Sequence, residues 1–374
     1  MNSKYQPLFE GYKLPSGVEL KNRLLMAPMT HSSSNKDGSV STQELSYYRE
    51  RSAGVGAVIT ACAYVQPSGK GFKNAFGADE DQLVPGLSEL AMTIQDQGAK
   101  AILQIFHAGR MAIPDLLPDR QPISASAVAS EREGAVTPRE MTEDEIEETI
   151  IAFGEATRRA IEAGYDGVEI HGANTYLIQQ FFSPHSNRRT DKWGGSVEKR
   201  MSFPLAVIDE VKKAVKEYAE NPFIVGYRLS PEERENPGIT MDDTLQLVDV
   251  LAKQGLDYVH VSMRDFFDGS MRDQDDEESR VVLVKERVGD RVPVIGVGDI
   301  LTPDAAMKAF ETGVPLLALG HALIMEPQWV QKVKDGREDE IRTTLSKTAQ
   351  TELVLPDPLW ISITRTPGWF PVVD

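Results

Sequence analysis

Short, unbroken apolar runs alternate along the chain with longer stretches in which apolar residues recur every three or four positions. The runs are Leu24–Ala27, Ala57–Ala61, Ala101–Phe106, Gly167–His171, Phe223–Leu229, Tyr258–Ser262, Val294–Val297 and Leu316–Leu319. They are continuous rather than alternating, the pattern of parallel strands buried on both faces. The longer stretches predict helices at Thr42–Ser52, Leu87–Gln97, Thr142–Ala163, Val197–Glu220, Asp242–Gln254, Glu277–Val288, Pro303–Thr312 and Pro327–Lys334. In the third of these, Ile146, Ile150, Phe153, Ala156 and Ala160 form one apolar stripe. Thr142 and Glu145 make a capping box at its start, and Gly164 is placed to cap its end.

Eight strand–helix units in succession predict an α/β fold, a (β/α)₈ TIM barrel, rather than a doubly wound sheet. No GxGxxG follows a strand, and Leu301 stands where the third glycine after Gly296 and Gly298 would be. Residues 1–20 precede the first strand, and Gly11–Gly17 reads as a hairpin that plugs the barrel floor. Residues 107–141 form a Pro-bearing excursion after the third strand, on the side where barrels build their sites. A tail, 350–374, follows the last unit. With no linker or repeat, the whole chain 1–374 is expected to be one domain.

Composition narrows the function. The net charge of −17 argues against nucleic acid and anionic membranes as partners and leaves a small molecule. The acidic clusters Thr142–Glu148 and Asp273–Glu278 read as a solvated helix face and a loop. Cys62 is the only cysteine, so an intrachain disulfide, a Cys-based zinc site and a four-Cys iron–sulfur cluster are excluded. No metal site is expected. The N-terminus lacks an apolar core and no run approaches 18 apolar residues, so the chain is expected in the cytoplasm, and homo-oligomers stay open.

A barrel presents its chemistry at the C-terminal strand ends. There the sequence places Pro28-Met29-Thr30-His31, Ala61-Cys62, Gln104 with His107, His171 with Asn174 and Tyr176, Arg228, Gly296-Val297-Gly298, and Gly320-His321. This set is rich in neutral hydrogen bonders and shows no carboxylate pair, HExxH, GxSxG or P-loop. His171 and Asn174, three apart on a turn, are able to polarise one carbonyl oxygen, with Tyr176 as a phenolic proton donor. The glycines ending strands seven and eight suit a phosphate. Arg228 inside an apolar strand needs a partner, whereas His185 and His260 read as bland and Tyr47, Met26 and Phe181-Phe182 as packing.

These residues carry a resemblance. Ala27-Pro28-Met29-Thr30, His107-Ala108-Gly109-Arg110, Gly164 through Asn174, and Phe182-Ser183-Pro184 with Asn187, Arg189, Asp191, Trp193-Gly194-Gly195-Ser196 and Arg200 are similar to the Old Yellow Enzyme family. That family comprises FMN-dependent NAD(P)H:flavin oxidoreductases, and the resemblance covers nearly the whole chain. It implies FMN as cofactor and NADH or NADPH as hydride donor. It places Pro28, Met29 and Thr30 along the flavin, Ala61 and Gln104 on the isoalloxazine, and Arg228 at N1 and O2. It gives Gly298, Gly320 and His321 the phosphate, His171 and Asn174 the substrate carbonyl, and Tyr176 the proton. The family usually carries Arg where His321 stands, and some relatives carry Cys where Thr30 stands. With Cys62 alone, the chain is not one of the iron–sulfur relatives.

The expected function is therefore hydride transfer from NAD(P)H through FMN to an electrophile such as an α,β-unsaturated carbonyl. The alternatives are a non-catalytic flavin-binding protein and a barrel lyase acting on a phosphorylated substrate. The lyase lacks a Schiff-base lysine or metal carboxylates at the strand ends. Arg365 and Trp369 in the tail are candidates to reach a neighbouring subunit's site.

Overall fold

The computed structural model describes residues 1–373. Eight parallel strands close on themselves: β1 (Leu24–Met26), β2 (Ala57–Ile59), β3 (Lys100–Phe106), β4 (Gly167–Gly172), β5 (Ile224–Leu229), β6 (Tyr258–Val261), β7 (Val294–Val297) and β8 (Leu316–Leu319). The ring shuts where Leu317 and Leu319 of β8 lie opposite Leu24 and Met26 of β1. The expected (β/α)₈ barrel is thus the fold, with strands ending within two residues of the apolar runs.

The outer helices are α1 (Thr42–Ser52), α2 (Val84–Gln95), α3 (Glu143–Glu162), α4 (Ser202–Tyr218), α5 (Met241–Leu251), α6 (Arg280–Val288), α7 (Pro303–Phe310) and α8 (Trp329–Asp335). The Thr142–Glu145 capping box forms, with Glu145 N donating to Thr142 Oγ1 at 3.2 Å and Thr142 N to Glu145 Oε2 at 2.8 Å. Such a cap contributes about 1 kcal/mol. Gly164 takes φ +83°, the left-handed conformation that ends α3 without a Cβ penalty. The stretch 197–220 is two helices, because Val197–Arg200 ends at Met201 before α4 begins. There the Arg200 guanidinium turns inward to the carbonyls of Phe182 and Gly195 and to Asp243.

Side chains alternate between the lumen and the helix layer along each strand. Leu25, Ala57, Ile59, Ile102, Ile224, Tyr258, Ile295 and Leu316 fill the lower lumen. The hairpin of Tyr12–Lys13 and Glu19–Leu20 seals it from below with Leu14, Val18 and Leu20, as the N-terminal reading expected. Ser16 N donates to Asp257 Oδ1 at 2.8 Å, which ties the plug to the start of β6. The floor is apolar and closed, so the chemistry is confined to the upper end.

Three features there have no counterpart in the apolar pattern. The strand Ala63–Tyr64 extends the sheet beside Ile105 and Phe106. The helix Leu177–Phe182 follows β4, and the helix His321–Met325 follows β8. Within the excursion, Ile123–Ser124 pairs with Arg139–Glu140. The tail carries a helix, Asp357–Arg365, and its end, Val372–Val373, pairs with Leu345–Ser346.

Candidate active site

Inward positions in the upper lumen are polar. Gln104 on β3 lies opposite Glu169 on β4, and Arg228 on β5 lies opposite both His171 on β4 and His260 on β6. Gln104 Nε2 donates to Glu169 Oε1 at 2.6 Å, and His260 Nδ1 donates to Glu169 Oε2 at 2.9 Å. Burial alone raises the Glu169 carboxyl, but His260, Arg228 and Gln104 outweigh it and hold the group below its ordinary value. An anion thus sits beneath Arg228 and balances the guanidinium, whose charge a buried site does not otherwise tolerate. Glu169 and His260 were not expected here; His260 read as bland, and the strand ends showed no carboxylate pair. The available clue was spacing, since Glu169 and His171 are two apart on one strand and share a face.

The β4 turn carries the candidate catalytic trio. His171 Nδ1 accepts the Ala173 N–H at 3.2 Å, so the ring proton resides on Nε2. Burial, helped by Arg228, lowers the ring's pKa to about 3, which leaves His171 a neutral donor at physiological pH. Asn174 Oδ1 accepts from Ser262 Oγ at 3.0 Å, and Ser262 accepts from Arg228 Nη2 at 3.0 Å. The Asn174 amide NH₂ is therefore the free end. Asn174 and Thr175 adopt φ of +55° and +67°, a left-handed pair that costs on the order of 1–3 kcal/mol per residue. Asn174 N to Ser230 Oγ and Thr175 N to Gln179 Oε1, both 2.9 Å, hold the turn. Gln179 and Gln180, on the helix missed in the sequence, thus position the turn. Gln180 Nε2 donates to the Thr175 carbonyl at 2.6 Å.

Tyr176 stands edge-on to His171, ring centroids 5.0 Å apart, and also against Phe106 and Phe72. Burial keeps its phenol protonated well above the usual range. Cys62 packs into the same apolar cluster, 3.8 Å from Thr30 Oγ1, and burial pushes its thiol up to about 12. The thiol is therefore not a nucleophile. Ala61 N donates to Tyr48 Oη at 2.7 Å. His31 turns away from the mouth, buried against Tyr47, Tyr48 and Glu44.

A cavity of about 260 Å³ runs over the ends of β1, β5, β7 and β8, lined by Ala27, Met29, Arg228, Gly298, Gly320 and His321 among others. A Cβ on Gly298 would sit 2.6 Å from the Asp265 carbonyl carbon, and Gly298 has φ +133°. Arg228 Nε is buried without a partner. A planar heterocycle with acceptor edges and an anionic end matches these donors. Pro28, Thr30, Ala61 and Gln104 do not line that cavity. Burial lowers the pKa of His321, so it is neutral at pH 7, and its ring lies 4.2 Å from that of Phe370. Trp369 lines the same cavity. The tail residue expected to reach a neighbour thus stands at its own chain's site. A second cavity, about 800 Å³, opens beside Asn174 and is walled by Arg110, Met111 and Arg132 of the excursion.

The NADH:flavin oxidoreductase / NADH oxidase family model matches residues 7–340. The chain belongs to that family. The family's cofactor is FMN and its reductant NAD(P)H. This NADH:flavin oxidoreductase is 51% identical over 374 residues, all of both chains, to the probable NADH-dependent flavin oxidoreductase YqiG of Bacillus subtilis. It is 50% identical over 350 residues to the NADH:acrylate oxidoreductase of Vibrio harveyi, matching 92% of this chain but only 34% of that one. A structure of morphinone reductase in complex with tetrahydroNAD superposes with TM-score 0.77 at 25% identity, covering 98% of both chains. Among the described residues, no helix is long and apolar enough to cross a membrane.

The buried histidines set a stability prediction. His107 and His171 are both held near pKa 3 by burial, against 6.5 when free. Below pH 6.5 the unfolded chain binds protons that the folded one refuses. Stability is therefore complete above pH 6.5 and falls as the pH drops toward 3, by up to about 3 kcal/mol per pH unit for the two groups. His31, also near 3, largely cancels against Glu44, raised to about 7 by burial. Denaturant unfolding at pH 7.5 and 5.5 should give a clearly lower midpoint at 5.5. Equal midpoints would show that these rings are charged in the folded protein.

Proposed function

We propose that this enzyme reduces the C=C bond of an α,β-unsaturated carbonyl compound at the expense of NADH. The supporting observation is that both His171 and Asn174 are fixed as neutral donors, one by the Ala173 N–H and the other by the Arg228–Ser262 chain. Two N–H groups set before substrate arrives stabilise the negative charge that develops on a carbonyl oxygen as hydride adds to Cβ.

Bound FMN supplies the carrier that takes hydride from NADH and gives it to the acceptor. Arg228 would face the part of the bound flavin that gathers negative charge on reduction, with Glu169 beneath it limiting the field. Gln104 commits its NH₂ to Glu169 and so helps to hold the anion that balances Arg228. Met29, which lines the 260 Å³ cavity, would flank the ring. The backbone at Gly298 and Gly320, with His321, would surround the phosphate end. Tyr176, apolar on its sides and protonated, delivers the proton to Cα. The excursion wall of Arg110, Met111 and Arg132 shapes acceptor choice.

Steady-state NADH oxidation with a panel of enones, nitroalkenes and quinones under anaerobic conditions tests the reading. Saturated ketone product from an enone is expected; quinone turnover with no enone reduction would overturn it.

A further inference from the structure

FMN carries a phosphate of about two negative charges, and this chain has no arginine at the position after Gly320. His321 is a poor substitute, because its side chain is shorter than an arginine, its ring packs on Phe370, and burial disfavours its charged form. Two cations line the 260 Å³ cavity, Arg228 and Arg264. Arg228 is already committed: it lies in the barrel wall beside His171, donates to Ser262 and is balanced by Glu169. Arg264 is not. It sits on the loop after β6 and makes no hydrogen bond or ion pair among the described residues.

That loop is seated on the glycine turn itself. Phe266 N donates to the Gly298 carbonyl at 3.1 Å, and the Asp265 backbone lies so close that Gly298 has no room for a Cβ. Arg264 is therefore anchored next to the turn that ends β7, while Gly320 ends β8 on the other side of the same cavity. The one carboxylate lining this cavity, Asp299, is exposed and opposes an anion there. A phosphate in this cradle meets one repulsive charge and needs a cation from outside the glycine turns.

We infer that Arg264 is the cation that binds the FMN phosphate in this chain. The inference rests on FMN occupying this cavity. Arg264 lines both the 260 Å³ and the 800 Å³ cavities, so a guanidinium there reaches the cofactor from the acceptor side.

The test compares FMN with riboflavin, which has the same ring and no phosphate. Apoprotein is titrated with each flavin and binding is followed by quenching of flavin fluorescence. Arg264→Gln should weaken FMN by about 10- to 100-fold, the value of a charge-assisted hydrogen-bonded contact, and leave riboflavin unchanged. Adding His321→Arg to Arg264→Gln should restore FMN affinity. Equal losses for both flavins, or no loss for either, would overturn the inference. Wild-type protein that binds both flavins equally or neither would instead contradict the cofactor placement, whatever the variant does.

Discussion

Replacing His171 or Asn174 with alanine is expected to slow enone reduction by about 10²–10³-fold each, the usual cost of one preset donor to a developing oxyanion. FMN content should not change, because neither side chain lines the 260 Å³ cavity over β7 and β8. The expectation follows from how the donors are held. His171 is neutral and its Nδ1 is occupied, so Nε2 keeps its proton as a donor whatever the pH between 5 and 8. The Asn174 amide is fixed by a chain that starts at Arg228, and its backbone is held at φ +55°. If the two donors serve one oxygen, as proposed, losses in the double variant should fall short of the product. A corollary is the absence of a protonation near pH 6.5 in the rate of hydride transfer to the enone. The check is single-turnover reoxidation of the reduced enzyme by a cyclic enone. A change in KM alone, with the limiting rate intact, would assign both residues to binding rather than to stabilising the transition state.

Tyr176→Phe should divide the two half-reactions. Loss of a positioned general acid costs about 10²–10⁴-fold, and only the step that protonates Cα needs one. Flavin reduction by NADH should stay near the wild-type rate. Phe fits the site, because Tyr176 packs through its ring against His171, Phe106 and Phe72. Burial disfavours the phenolate, so the proton is available to transfer throughout the neutral range. Equal slowing of both halves would remove Tyr176 from the role of proton donor. Normal rates in both would mean that solvent supplies the proton.

Much of this architecture is legible in the chain because parallel barrel strands are buried on both faces. Eight continuous apolar runs therefore announce eight strands, and the capping box at Thr142 with Gly164 marks the ends of α3. Several candidate-site positions are legible for the same geometric reason: strand ends are where a barrel exposes polar groups. What stayed hidden depends on contacts between distant segments. His260 looks ordinary until β6 is placed two strands from β4 and its ring meets Glu169. The helix Leu177–Phe182 is too short for a periodicity, yet Gln179 and Gln180 hold the strained Asn174–Thr175 turn. His31 sits beside the flavin segment in sequence but is drawn into the Tyr47–Tyr48 cluster. Arg264 carries no local signal; it stands out because it makes no hydrogen bond or ion pair among the described residues and because its loop rests on Gly298.

The central claim is that one bound flavin is reduced by NADH and reoxidised by an electron-poor alkene. An anaerobic absorption experiment on the purified enzyme tests it most directly. The account predicts a yellow protein that releases FMN on denaturation, bleaches on addition of NADH, and regains its colour on addition of cyclohexenone with one equivalent of cyclohexanone formed. A protein that bleaches with NADH but stays bleached with enones, and recovers only with oxygen or quinones, would contradict it.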